Sequence, residues 1–239
     1  MSDGTRHIMV VGAHAGDGEI MAGLLVAKYT RAGHRATFVH LTPGEKGHPT
    51  LAPEAYAEQK RREAVEVDRR LGAETVFLPY KDAELPLNDE VKVALCDVIR
   101  ERRPDILVTH WQGSIHPDHE RAHFITEGAR FFAALPAIQR ALPAHGAWGL
   151  WYAENWEDPY GFEIDTYVDV SDVFDLWVDA VQGYELFGGK VSSFRYLDYY
   201  KALATLRGCL AGTRYAVGLM SPRGTNVRKE KAGLPGFPV

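Results

Sequence analysis

Ile8-Met9-Val10-Val11-Gly12-Ala13-His14-Ala15-Gly16-Asp17-Gly18-Glu19 opens on four consecutive apolar residues and turns polar past a glycine. An unbroken apolar run, with no alternation, is how a strand buried on both faces reads. From Asp17 onward the period changes: Ile20, Leu24 and Ala27 share one helical face, and Gly33 closes a helix over residues 17–31. A buried strand running directly into a helix is the first half of a βαβ unit.

Outward from that stretch the alternation repeats. Strands are expected at 36–41, 75–78 and 105–110, and helices at 54–71 and 88–102, closed by Gly72 and followed by Pro104 respectively. Four strand–helix units in series predict an α/β fold, a doubly wound, mostly parallel sheet (Rossmann-like) with helices on both faces. Past residue 134 the pattern loosens, with strands at 148–154 and 166–170 and helices at 173–186 and 194–210. Residues 1–221 read as one domain. Residues 222–239 carry Pro, Gly and Lys/Arg without periodicity and read as an irregular arm that orders against a neighbouring subunit.

The composition fits that domain. The 239 residues are 46% hydrophobic and 25% charged, enough to bury a substantial core. The net charge of −5, with no long basic run, excludes nucleic acid or an anionic membrane as the main partner. Cys96 and Cys209 form no CxxC pair and no disulfide framework; both lie on helical stretches and are expected to be buried thiols. The apolar run at 8–11 is too short for a signal-peptide core, and no stretch approaches a membrane span, so the cytoplasm is the expected location.

In open α/β sheets ligands bind beyond the carboxyl ends of the strands. Two of those ends carry histidine. The first offers His14 and Asp17. The fourth ends at His110 and continues Gly113-Ser114-Ile115-His116-Pro117-Asp118-His119. Two histidines and a carboxylate fill three corners of a tetrahedron and leave the fourth for water, the pattern of a catalytic zinc site. Singly, each has a plainer reading: His14 as a turn residue, Asp17 as a helix N-cap, His119 as a surface residue. Together at neighbouring strand ends they point to one shared metal. The same ligand set suits a non-haem ferrous oxygenase, a reading the parallel α/β pattern speaks against. The glycines near His14 do not make GxGxxG, so a dinucleotide site is excluded on spacing.

These motifs resemble those of the LmbE/PIG-L family of zinc-dependent N-deacetylases. Ala13-His14-Ala15-Gly16-Asp17 aligns with the family's AHPDD, and His116-Pro117-Asp118-His119 with its HPDH. Thr42-Pro43-Gly44-Glu45-Lys46-Gly47 resembles the family's TxGExG loop. The likeness extends over the helix at 60–72, the segment around Asp82 and Asp169-Val170-Ser171-Asp172, roughly residues 7 to 215 in all. It implies one zinc ion per chain on His14, Asp17 and His119, with His116 stabilising the oxyanion or protonating the leaving amine. Asp118 would orient a histidine, or else cap a helix. Lys60, Asp82 and Ser114 fall at substrate-binding positions. Glu19 reads as a structural acid.

Four positions depart from the pattern. Gly16 stands where the family has its general base, a loss worth a factor of ~10² to 10⁴. Ala15 replaces a proline, Lys60 an arginine, and Ser114 a tyrosine. Asp118, Glu45 and His116 are candidates for a substitute base. The implied function is removal of an acyl group from an N-acylated amino sugar or related small amide; the alternative is a metal- or sugar-binding protein that has lost the base. Trp111, Trp148, Trp151, Tyr152 and Trp156 are read as carbohydrate-pocket, core or interface residues, and the aromatic second half is compatible with a homo-oligomer.

Overall fold

Every residue of the first strand, β1 (His7–His14), is buried, as in a strand with neighbours on both edges and helices on both faces. The computed structural model describes residues 4–222. Its elements follow as α1 (Asp17–Met21), α2 (Gly23–Arg31), β2 (Arg35–Thr42), α3 (Pro53–Arg70), β3 (Glu74–Phe77), α4 (Asp89–Arg102), β4 (Ile106–Thr109) and α5 (Pro117–Ala134). They end with β5 (Gly149–Ala153), β6 (Thr166–Asp169), α6 (Phe174–Val181), α7 (Tyr196–Ala211) and β7 (Ala216–Met220).

The sheet order is β3-β2-β1-β4-β5-β7-β6, with the first five strands parallel and β7 antiparallel to both its neighbours. The alternation of side chains along β1 divides the core in two. Ile8 and Val10 face a cluster built with Leu24, Val67, Trp177 and Tyr200, on the side of α1–α3, α6 and α7. Met9 and Val11 face a second cluster with Leu95, Ile99 and Ile125, on the side of α4 and α5. The fold is therefore the expected doubly wound α/β sheet. Strand order reverses between β1 and β4, and at such a switch point the carboxyl ends open a crevice.

Three expectations need correction. The helix over 17–31 is two helices broken at Ala22, whose backbone sits at φ −132°. At the break the Trp177 indole N–H donates at 2.8 Å to the Glu19 carbonyl, the acceptor that an unbroken helix would offer to Gly23. A Cβ on Gly23 would lie 2.9 Å from that same indole ring. Secondly, β7 was not expected, although Ala216-Val217-Gly218-Leu219-Met220 is a short apolar run of strand length. Thirdly, Cys96 is buried but Cys209 is exposed. The buried face of α7 runs Tyr200, Ala204, Gly208, and Cys209 lies one residue, about 100°, off that stripe. Of the arm at 222–239, all but Pro222 lies outside the described residues. Among the described residues, no helix is long and apolar enough to cross a membrane.

Candidate metal centre and active site

The two histidine-bearing strand ends meet at the switch point. Asp17, first residue of α1, turns back on the strand: its Oδ2 accepts the His14 backbone N–H at 2.8 Å and lies 3.0 Å from His14 Nδ1. His119 arrives from the first turn of α5, with Nε2 3.2 Å from the same oxygen. Zinc–ligand bonds of ~2.1 Å imply tetrahedral edges of ~3.4 Å, so these spacings suit three corners around one ion. Two imidazole nitrogens converging on one carboxylate oxygen, with ligand atoms of all three residues within 4.8 Å of one another, is a donor set that fits a divalent cation.

Each histidine is backed by carboxylate. His14 Nε2 lies 3.1 Å from Asp82 Oδ1 and 3.6 Å from Asp118 Oδ2. His119 Nδ1 lies 3.3 Å from Glu157 Oε2 and 3.4 Å from Ser114 Oγ. Such partners fix which ring nitrogen is free to bind metal. The pocket is strongly anionic as a result. Burial opposes a charge on His14, but Asp17, Asp118 and Asp82 outweigh it and raise its pKa well above the usual value. Burial, then the neighbouring His110, holds His119 down at about 3, in the neutral form that binds metal. Burial, reinforced by the charge of Asp17, pushes Glu157 up to about 7.

His116 is the N-cap of α5, and its Nδ1 accepts the Asp118 backbone N–H at 3.2 Å. Its ring stacks 4.6 Å from that of His119 and stands edge-on to His14 at 4.7 Å. Burial and the neighbouring His14 lower its pKa. Asp118 is therefore not the N-cap. Its Oδ2 accepts the Ala83 N–H at 2.7 Å and its Oδ1 faces Arg121 Nη1 at 3.0 Å. Asp82 accepts the Lys46 N–H at 2.9 Å, and its own N–H donates to the Glu45 carboxylate. Gly44, at φ +78°, brings this loop against His14, and a Cβ there would sit 3.0 Å from the His14 Cβ. Ser114 braces its loop, donating to the Glu157 carbonyl at 3.1 Å and accepting the His116 N–H at 3.2 Å.

Lys60 points inward from α3 and is 2% exposed. Its Nζ lies 4.5 Å from the Tyr184 ring centroid, with no hydrogen-bond or ion-pair partner among the described residues. A Cβ on Gly16 would lie 3.2 Å from that Nζ and 3.0 Å from Phe187 Cζ. Below it Glu19, His40 and Asp68 form a fully buried group, with the Tyr184 hydroxyl donating to Glu19 Oε1.

Sequence reasoning missed Glu157 and the part played by His110. The latter accepts the Ala13 N–H on Nε2 at 3.1 Å and stacks on His119 at 4.1 Å. The position of His110 at a strand end was visible. Glu157 sits in an irregular segment, where no periodicity betrays its direction.

Known proteins resemble this chain and its site. The PIG-L family model, described as GlcNAc-PI de-N-acetylase, matches residues 9–129, which include both histidine motifs. The diacetylchitobiose deacetylase of Thermococcus kodakarensis is 27% identical over 90% of this chain and 82% of its own. A 1D-myo-inositol 2-acetamido-2-deoxy-alpha-D-glucopyranoside deacetylase of Catenulispora acidiphila is 33% identical over 59% of this chain, but the match spans only 52% of that protein. Among solved structures, the 4-carboxy-2-hydroxymuconate hydratase of Pseudomonas putida KT2440 superposes with a TM-score of 0.83, at 24% identity over 93% of this chain and 99% of its own, a likeness of fold.

Proposed function

The chain belongs to the PIG-L (GlcNAc-PI de-N-acetylase) family and is an enzyme; from that premise we propose that it is a zinc-dependent hydrolase that removes the acyl group from an N-acylated amino sugar or a related small amide. The observation that carries this reading is the convergence of His14 Nδ1 and His119 Nε2 on the Asp17 carboxylate, at edge lengths suited to a tetrahedral ion.

One zinc ion on His14, Asp17 and His119 would lower the pKa of its bound water and polarise the amide carbonyl. The protein's own groups do the rest. Because His116 Nδ1 accepts a backbone N–H, the neutral ring carries its proton on Nε2 and can donate to a developing oxyanion. Asp82 and Asp118 hold the His14 ring from behind, and Glu157 and Ser114 hold that of His119. Asp82 and Ser114, expected at substrate-binding positions, also touch the His14 and His119 rings and would brace them beside the substrate.

The test is release of primary amine from a panel of N-acetylated amino sugars and glycosides, including diacetylchitobiose, by zinc-loaded protein. Wild type releases amine and Asp17→Ala does not. Equal rates from the two would reject the reading.

Gly16 favours a second reading. The loop has no carboxylate before Asp17, while Lys60 Nζ stands beside it, a setting that with the amine protonated would take a substrate carboxylate. Addition of the held water to an activated carbon–carbon double bond, the reaction class for which the Pseudomonas putida neighbour is named, fits that setting. Loss of ultraviolet absorbance from unsaturated carboxylates without amine release from the sugar panel would favour it. Tight calorimetric binding of N-acetyl sugars with neither product would instead mark a binding protein.

A further inference from the structure

We propose that Lys60 is the proton-transfer residue of this site, its amine occupying the space that a side chain at position 16 would otherwise fill. Three observations carry it. The Nζ would lie 3.2 Å from a Cβ on Gly16, which immediately precedes Asp17 in the loop between the proposed ligands His14 and Asp17. Gly16 sits at φ +105°, a conformation that side chains resist, so the loop is built to leave that space to its neighbour. And Lys60 is 2% exposed with its Nζ 4.5 Å from the Tyr184 ring centroid, so packing along α3 fixes the amine in this position and it does not swing free in solvent.

The groups around it set its charge. Burial lowers the pKa of Lys60, while Glu19 and Asp17 of the α1 side, Glu63 of its own helix and Asp82 of the opposite loop work the other way. Tyr184 and Tyr56 turn their rings to it, and His40 adds a like charge nearby. The net direction is downward, as for lysines that serve as bases.

The step rests on the hydrolase reading. The neutral Lys60 amine takes a proton from the attacking water as the water oxygen bonds to the amide carbon, and the carbonyl electron pair moves onto its oxygen. On collapse the carbonyl re-forms, the C–N bond breaks with its electron pair going to nitrogen, and the Lys60 ammonium returns its proton there. Carboxylic acid and primary amine leave, and the amine of Lys60 is regenerated.

Two measurements on the zinc-loaded protein test this. The first needs no substrate: the ¹⁵Nζ resonance of Lys60, assigned with Lys60→Arg, is followed against pH. Titration well below the ordinary lysine range supports the proposal, and titration at or above that range overturns it. The second is the pH–rate profile on whichever amide wild type cleaves. Rate should rise with pH as Lys60 loses its proton. In Lys60→Met and Lys60→Arg alike, that limb should disappear and kcat fall ~10² to 10⁴-fold with zinc content and KM little changed. Wild-type kcat in Lys60→Arg would show that charge alone matters and would overturn the proposal. Lys60→Met keeps an unbranched side chain in the same packing and should fold with nearly wild-type stability. If wild type cleaves no amide, the hydrolase reading fails, and the resonance still decides the state of the amine.

Discussion

With Nδ1 of His116 accepting the Asp118 N–H, the neutral ring presents Nε2–H to the pocket. His116→Ala should therefore lower kcat ~10² to 10³-fold, the usual cost of one oxyanion donor, while zinc content stays at one per chain. Steady-state kinetics with metal analysis checks this. Behind the ligands, Glu157→Gln leaves the shape of the side chain but removes the charge facing His119 Nδ1, and zinc affinity should fall ~10- to 100-fold in a chelator competition. Gly16→Asp is expected to lose ~1–3 kcal/mol of stability on denaturation, since φ +105° strains any side chain and its Cβ would press on Phe187 and Lys60. At this scale the sequence was informative about residue type and silent about direction. The sequence placed His14, Asp17 and His119 near the carboxyl ends of β1 and β4, and the structure brings them together there, His14 closing β1 and Asp17 and His119 in the first turns of α1 and α5. That Lys60 turns inward to Gly16, and that Glu157 reaches His119, are facts of side-chain direction set by packing, which spacing along the chain does not encode.

Elements were legible where one physical rule governed. The uninterrupted apolar run of β1 follows from burial on both faces, and the period of α3 and α4 from burial on one. At the break between α1 and α2, Gly23 is a local helix-weakening residue, while the Trp177 indole that meets the Glu19 carbonyl comes from 158 residues away and is invisible to local pattern. Trp177→Phe should remove that hydrogen bond and lose ~1–3 kcal/mol in a denaturant titration, with the loss reflected in α1 and hence in the set of Asp17. The antiparallel strand β7 escaped notice because it completes no parallel βαβ unit, and its pairing with β5 and β6 is long-range.

The molecule as a whole should answer to metal and to pH. A ligand held only by the folded chain stabilises it by ~2.7 kcal/mol at one hundred times its Kd, so zinc should raise Tm by roughly 5–10 °C in wild type and not in Asp17→Ala. Away from the site, burial lowers the pKa of His7 to about 4, its ring fixed between the Arg102 carbonyl and Thr37 Oγ1. The unfolded chain takes up this proton below about 6.5 and the folded chain only below about 4. Stability linked to His7 is thus complete above pH 6.5 and declines as pH falls towards 4, by ~3 kcal/mol in all. Denaturation of wild type and His7→Asn between pH 7 and 4 should show that extra slope in wild type alone.

The claim that amide cleavage depends on an ion held by His14, Asp17 and His119 is tested most directly by titrating metal-free protein with zinc and following amine release from N-acetylated amino sugars. The expected rate is negligible without zinc, rises in proportion to it and saturates at one equivalent per chain, with Asp17→Ala silent throughout. Amine release from metal-free protein or from Asp17→Ala at the wild-type rate would contradict the claim.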